Sequence, residues 1–182
     1  MDFRNSTQKY PICIKCNNPL NVSYAGWQGE VGVYPNPEQE AIFVDTQHGL
    51  RAAALNLYSY YKTHGLHTIR AIISRWAPSN DPNAKNDPNG YANFVAQKTG
   101  INADTVFELN GTNIKAIMKA MAIIEQGGKY AALIPDSDYD EGIKMADKKE
   151  LLVTTAKIGL GGVAFFFSNM ANNIKNKIKG IK

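Results

Sequence analysis

The sequence predicts an α+β fold that is mainly helical, with a small antiparallel β-subdomain near the N-terminus and an apolar helix near the C-terminus. Short apolar pieces separated by turn-forming residues occupy residues 12–45. Stretches with apolar residues at helical spacing follow up to residue 126, and residues 151–170 are largely apolar. A chain of 182 residues has room for one ordinary domain and an appendage.

The β-subdomain is predicted from four short apolar pieces at residues 12–14, 22–24, 31–34 and 41–44. The sequences Asn-Asn-Pro, Ala-Gly and Pro-Asn-Pro separate them, and these residue types favour tight turns. We therefore expect a small antiparallel sheet in this part of the chain.

Five helices are predicted beyond the sheet, and a glycine or proline ends four of them. They cover residues 45–61, 68–75, 91–98, 102–109 and 112–126. The last helix is expected to turn five apolar side chains toward the core: Ile114, Ile117, Met118, Met121 and Ile124.

The sequence after residue 130 predicts attachment to a membrane. We divide the chain into a domain over residues 1–130, an acidic linker over 131–150, an apolar helix over 151–170 and a basic amphipathic tail over 171–182. The apolar helix has about the 20 residues that a bilayer requires, and glycines and a lysine-rich end are common in membrane-associated segments. Lys157 interrupts the apolar run, so a buried helix that packs on the domain is the alternative.

The charge distribution argues against nucleic acid as a specific partner. The formal net charge is +4, but residues 151–182 hold five lysines and no acidic residue, which leaves the rest of the chain at −1. The N-terminus has no apolar run of the signal-peptide type, so synthesis in the cytoplasm is expected.

Cys13 and Cys16 form a Cys-x-x-Cys pair without a second pair or a histidine at zinc-ligand spacing. Two incidental thiols are favoured over a metal or redox site. No metal and no cofactor is predicted.

Seven blocks within residues 12–126 follow one another in the order typical of a known family. They are Asn17-Asn18-Pro19-Leu20-Asn21, Trp27-Gln28-Gly29-Glu30, Phe43, Gly49-Leu50-Arg51-Ala52, Gly65-Leu66-His67-Thr68-Ile69, Trp76-Ala77-Pro78, and Asn86-Asp87 before Tyr91. In these blocks the chain resembles phage and prophage virion structural proteins whose domain looks related to lysozyme-like peptidoglycan hydrolases. Leu20 stands where that family usually has glycine, and residues 79–85 are an insertion.

The resemblance implies a lysozyme-like domain that degrades peptidoglycan, as a muramidase or a lytic transglycosylase. With the C-terminal segments it implies a bacteriophage protein that is anchored in an internal virion membrane and opens the cell wall during penetration. Its expected partners are peptidoglycan strands, lipid and other virion or capsid proteins. The alternatives are a non-catalytic virion protein that links capsid and membrane, and an endolysin with a membrane-disrupting tail.

Candidate catalytic residues follow from the chemistry of glycoside cleavage, which needs a carboxylic acid to protonate the leaving oxygen. The resemblance implies a catalytic glutamate at the end of a helix before the β-subdomain, but the only acid ahead of the first turn is Asp2. The best remaining acid is Glu30, because the neighbouring Trp27 can partly desolvate it. Asp45, and less favourably Glu40, can assist. The alternative interpretations are a solvated hairpin residue for Glu30 and a helix cap for Asp45.

Substrate binding is predicted for three amides and two aromatic rings. Asn17, Asn18 and Asn21 can bond the N-acetyl groups of the sugars, while Trp27 and Tyr34 can stack on a sugar face. The alternatives are that the asparagines form a turn and that Trp27 anchors the core.

Overall fold

Seven helices and a two-stranded sheet make up the described part of the chain. A computed structural model describes residues 1–82 and 85–159. Its elements are α1 (Ile12–Lys15), β1 (Glu30–Val33), β2 (Ala41–Phe43), α2 (Thr46–Lys62), α3 (Ile69–Trp76), α4 (Pro88–Thr99), α5 (Gly111–Gln126), α6 (Gly128–Ala131) and α7 (Asp136–Gly159). Met1–Ala146 form one compact unit, and Asp147–Lys182 form a second unit, which is described as helical backbone up to Gly159.

The longer helices of the first unit begin at residues whose side chains cap them. Asp45, Thr68, Asp87 and Asn110 each accept a hydrogen bond from the backbone N–H three residues further on. Such a bond satisfies one of the N–H groups that the first turn of a helix leaves unpaired. Four of the five predicted helices are therefore confirmed as α2 to α5.

The small sheet consists of β1 and β2, which pair in antiparallel fashion with Glu30 opposite Phe43. Glu40, the residue before β2, forms an isolated antiparallel bridge to Ser23. Ala41 and Phe43 of β2 are fully buried. The predicted class, a mainly helical chain with a small antiparallel sheet, is confirmed, whereas a lysozyme-like fold is not established by these elements.

The core of the first unit is built around α2, whose Leu50, Ala53 and Leu57 are fully buried. Gly142 of α7 lies against this helix so closely that a Cβ atom there would be 2.8 Å from Leu50 Cβ and 2.9 Å from the Gln47 carbonyl oxygen. Glycine is therefore needed at this crossing for steric reasons.

Residues 12–14, which were predicted to be extended, belong to the short helix α1. The N–H of Lys15 donates to the carbonyl of Pro11, and that of Cys16 donates to Ile12. Cys13 and Ile14 are buried, so the apolar pattern is satisfied by helix packing instead of strand pairing.

Residues 102–109 do not form the predicted helix. Their backbone bonds instead to the segment around the start of α3: Arg70 N–H donates to Ala103, and Phe107 N–H donates to His67. The prediction for Ile124 is also wrong, because this residue is 43% exposed.

The acidic segment that was predicted to be a linker is helical from Asp136 onward. Tyr139, Ile143 and Ala146 are buried at spacings of four and three residues, which gives this part of α7 an inward face. Lys115 of α5 forms ion pairs with Asp136 and Asp140 on its outer face. The secondary structure thus differs from a linker, and the predicted division into domains stays a prediction.

The predicted apolar helix over 151–170 lies mostly, and the basic tail over 171–182 entirely, outside the described residues. The backbone of α7 continues helically to Gly159. Within residues 1–82 and 85–159, no helix has the length and apolar character required to cross a bilayer.

Candidate functional site

The carboxylate of Glu125 lies where four separate parts of the chain meet. One oxygen accepts hydrogen bonds from Tyr91 Oη at 2.8 Å and from Trp76 Nε1 at 3.2 Å. The other oxygen accepts from Asn21 Nδ2 at 2.9 Å. Glu125 lies in the last turn of α5, Trp76 ends α3, and Tyr91 lies in the first turn of α4.

Burial raises the pKa of Glu125, because the ionised carboxylate loses solvation there. The nearby charge of Glu40 raises this pKa further, whereas the three hydrogen bonds oppose the shift because they favour the ionised form. Burial also raises the pKa of Glu40. The pKa of Tyr91 is raised by burial and by its contact with the Glu125 carboxylate. Two carboxyl groups with raised pKa values in one region are candidates for proton transfer.

Asn21 has a left-handed backbone conformation with φ of 51°, which asparagine tolerates better than most residues. Its Nδ2 donates to Glu125, but its Oδ1 is buried and has no hydrogen-bond partner within the described residues. Gln126 Nε2 donates to the carbonyl of Pro19, and its Oε1 is likewise buried without a partner among those residues. Buried acceptors without partners are rare in folded proteins, so this junction requires an explanation.

Asn17 and Asn18, predicted to bind substrate, are fully buried. Asn17 Oδ1 accepts from the N–H of Phe3 at 2.8 Å, and its Nδ2 donates to the carbonyl of Phe43 at 3.1 Å. The amide of Asn18 also bonds to backbone groups, at 2.8–2.9 Å. These contacts agree with the alternative interpretation of the asparagines as turn residues, and they give no support to sugar binding.

The Glu30 carboxylate closes the loop that precedes β1. It accepts hydrogen bonds from the backbone N–H groups of Ala25, Gly26 and Trp27 at 3.1–3.4 Å. The indole of Trp27 is partly buried, and its Nε1 donates to the carbonyl of Ser23 at 3.0 Å. Glu30 therefore has a structural role in the hairpin, and its action as an acid stays a prediction.

Asp45 caps α2, as the alternative interpretation held. It accepts from the N–H of His48 at 2.9 Å and contacts His48 Nδ1 at 2.8 Å. Its assistance in catalysis stays a prediction.

Tyr34 lies beside Glu40, the second carboxylate of the region. The N–H of Tyr34 donates to the Glu40 carbonyl at 2.8 Å, and Asn36 Nδ2 donates to the Glu40 carboxylate at 2.8 Å. Tyr34 is partly buried. Of the predicted site residues, Asn21 contacts the Glu125 carboxylate directly, and Tyr34 is connected to the region through Glu40.

The cysteines are buried thiols, with Cys13 inside α1 and Cys16 directly after it. Burial raises the pKa of both Cys13 and Cys16 to about 11, so both stay protonated near neutral pH. Across residues 1–82 and 85–159, no group of three His, Cys, Asp or Glu side chains is placed to hold a metal ion.

A shallow depression of about 500 Å³ lies between α3, α4 and the loop after α4, with Arg70 and Asp104 in its lining. Arg70 donates to Asp104 at 2.6 and 2.9 Å and also to Asn89 and Asn93. Because these contacts occupy most of the guanidinium donors, the depression does not favour an anionic ligand.

Sequence reasoning missed Glu125 as a functional residue. A local signal exists, because Glu125 is the only acidic residue in the α5 sequence and stands just before Gly127-Gly128. Its three donors, however, lie 34, 49 and 104 residues away in sequence. Spacing within the helix therefore does not reveal them.

Comparison with known proteins gives one informative similarity. No protein-family model matches the chain. The chain is 39% identical over 119 residues to Protein P5 of Pseudoalteromonas phage PM2. The match covers 63% of this chain and 70% of that protein.

Proposed function

The chain belongs to the family of Protein P5 of Pseudoalteromonas phage PM2, and from this premise we propose that it is a virion protein whose N-terminal domain cleaves the glycan strands of peptidoglycan. The membership supports the predicted assignment to phage virion proteins. Contacts with other virion components are proposed on the same ground. The glycan-cleaving activity is a further step, and its support comes from the residues around Glu125.

The observation that carries the proposal is a partly buried carboxyl group held between an indole, a phenol and an amide. An acid that protonates a glycosidic oxygen must keep its proton near neutral pH and must be held in a fixed position. Burial favours the protonated form of Glu125, and its contacts with Trp76, Tyr91 and Asn21 fix its position. The hydrogen bond from the Trp76 indole favours the ionised carboxylate, so burial and the charge of Glu40 are what raise the pKa of this acid.

In the proposed reaction the Glu125 carboxyl donates its proton to the glycosidic oxygen, and the bond between that oxygen and C1 of the sugar breaks. In a transglycosylase, the 6-hydroxyl of the same sugar then attacks C1. Its proton passes to the Glu125 carboxylate, and a 1,6-anhydro ring closes. In a hydrolase, water replaces the 6-hydroxyl, and Glu40 is the candidate for a second carboxylate. Trp27 and Tyr34 remain candidates for stacking on sugar rings.

The test is digestion of purified peptidoglycan by the full chain, with products identified by mass spectrometry. We expect cleavage by the wild type and a loss of about 100-fold or more in Glu125→Gln, because a positioned acid contributes roughly that factor. Glu108→Gln is the matched control, since Glu108 is exposed. Glu30→Gln and Asp45→Asn test the two acids predicted from the sequence.

The products decide between the two routes. Anhydro-muropeptides indicate a lytic transglycosylase, and new reducing ends indicate a hydrolase. Equal activity of the wild type and Glu125→Gln contradicts the assignment of Glu125; a loss confined to Glu30→Gln would move the acid to Glu30. If a natively folded wild type yields no products, the proposed activity is wrong.

The second candidate function is that of a non-catalytic virion protein. It is favoured by the internal hydrogen bonds of Asn17, Asn18 and Glu30, which use the predicted site residues to hold the fold. Glu125 would then serve as a polar junction between α3, α4, α5 and the turn at Asn21. Binding to virion components without any glycan cleavage is the expected result under this alternative.

We also propose that residues 151–182 attach the protein to the viral membrane, with support from the sequence alone. The apolar run and the basic tail favour anionic lipid. Flotation of the full chain with anionic vesicles tests this, and Phe166→Asp should reduce binding, while Thr105→Asp at an exposed position should not. Failure of the wild type to float would contradict the proposal.

A further inference from the structure

We infer that Asn21 positions the proton of Glu125: its side-chain amide donates to the ionised carboxylate and, after a half-turn, accepts from the protonated acid. Asn21 is thus a positioning residue, and it acts through Glu125. Only the effect of Asn21 on glycan cleavage rests on the proposed function. The exchange of donor and acceptor itself can be measured without activity.

The oxygen that carries the proton follows from the contacts of Glu125. Trp76 Nε1 and Tyr91 Oη both donate to Oε1. An indole N–H can only donate, so Oε1 has to remain an acceptor toward it. The Tyr91 hydroxyl can also donate to the Met121 carbonyl at 3.5 Å, so the donor-only indole is the contact that favours Oε1 as the carbonyl oxygen of the neutral acid. The proton then resides on Oε2, the oxygen that faces Asn21.

The amide of Asn21 has the two groups that both states of Glu125 require. In the ionised state Nδ2 donates to Oε2 at 2.9 Å. When Oε2 carries a proton, the same contact would bring two donors together, which is unfavourable. A half-turn of the amide presents Oδ1 instead, and Oδ1 has no other partner to lose among the described residues. The unpaired buried oxygen is thereby explained as the acceptor for the second state.

Three other titratable groups interact with Glu125: Tyr91 through a hydrogen bond, and Glu40 and Cys13 electrostatically. Tyr91 of α4 and Cys13 of α1 both have a raised pKa and stay neutral in the relevant range. Glu40, next to β2, is the charged group that raises the pKa of Glu125 by repulsion. Glu40→Gln therefore separates the influence of this charge from that of the Asn21 amide.

The experiment follows the isotope-labelled full chain by NMR across the acid and neutral range. The carboxyl carbon of Glu125 is assigned by its loss in Glu125→Gln, and the side-chain amide of Asn21 is followed in parallel. We expect both signals to move with one shared midpoint, because the amide turns as the acid takes up its proton. An Asn21 amide that does not respond at the Glu125 midpoint overturns the inference.

The matched variant is Asn21→Asp, which keeps the size of the side chain and tolerates the left-handed backbone. It places two carboxyl groups face to face, so the Glu125 midpoint should rise by about one unit or more. Asn5→Asp adds the same charge at an exposed position and should leave the midpoint unchanged. An unchanged midpoint in Asn21→Asp overturns the inference. If this variant does not fold, the wild-type amide titration decides.

The link to glycan cleavage is read from the pH profile of kcat/KM. One limb of this profile is set by the pKa of Glu125. Asn21→Asp should move that limb in the same direction as the NMR midpoint. If the wild type cleaves no glycan, the proposed function fails, while the two NMR titrations still decide on the role of Asn21.

Discussion

Replacement of Asn18 by alanine is expected to lower the free energy of unfolding by about 4 kcal/mol. The side chain is fully buried, and its amide joins two parts of the backbone. Nδ2 donates to the carbonyls of Val22 at 2.8 Å and Ala41 at 2.9 Å, and Oδ1 accepts from the N–H of Val22 at 2.9 Å. Asn18 thus connects the turn at residues 17–22 to the start of β2.

The magnitude follows from what the substitution leaves behind. The N–H of Val22, a residue that is 3% exposed, loses its acceptor, and an unpaired buried donor costs about 1–3 kcal/mol. Each lost bond to a carbonyl costs about 0.5–1.5 kcal/mol, although Val22 still accepts from the N–H of Ala41. The cavity adds about 1 kcal/mol. The total of about 4 kcal/mol is a large part of the 5–15 kcal/mol, roughly, that stabilises a typical domain.

Urea denaturation followed by circular dichroism measures this difference. Asn5→Ala, at an exposed position, is the control and should change stability by no more than about 0.5 kcal/mol. A loss below about 1 kcal/mol in Asn18→Ala with an unchanged denaturant slope would refute the reasoning. If that variant also lost glycan binding while remaining stable, the sequence-based prediction of a substrate contact would be the better one.

Further predictions concern a carboxyl group, a glycine and two thiols. Because the pKa of Glu125 is raised by folding, its stabilising contribution is complete at acid pH and is lost as the pH rises through the raised value. The wild type should therefore lose stability relative to Glu125→Gln over this range in urea titrations, and a constant difference would contradict this. Gly142→Ala should cost about 1–3 kcal/mol because its Cβ would collide with α2, whereas Gly128→Ala, with its nearest atom at 4.0 Å, should change the melting temperature little. Cys13 and Cys16 should react slowly with a thiol reagent near neutral pH and rapidly in urea, since both are buried and their pKa is about 11; rapid reaction of the native protein would contradict their burial.

Several features of the fold could be predicted because they depend on neighbours in sequence. Four helices begin where a cap side chain accepts a hydrogen bond from the backbone N–H three residues later, at Asp45, Thr68, Asp87 and Asn110. The residue types at these positions are therefore enough to predict where the helices begin. The ordered blocks that resemble phage virion proteins were also visible in the sequence, and the relationship to Protein P5 of phage PM2 agrees with them.

Other elements depended on partners far along the chain. The segment over 102–109 has helical spacing, but its backbone bonds to residues His67 and Arg70, which offer an alternative to helical hydrogen bonds. The acidic residues from Asp136 resembled a linker in composition, yet Tyr139 and Ile143 find apolar partners in the core. Burial of these side chains stabilises a helix that local composition alone does not favour.

The candidate site also combines residues that the sequence could identify with contacts that only the tertiary structure creates. Sequence alone identified Asn21 as a residue of interest and Glu30 as an acid beside a tryptophan, since both inferences used adjacent residues. Tertiary structure alone brought Trp76, Tyr91 and Asn21 to the carboxylate of Glu125, across 34 to 104 residues of chain. Such contacts form when whole helices pack, and the loss of solvent that raises the pKa of Glu125 arises from the same packing.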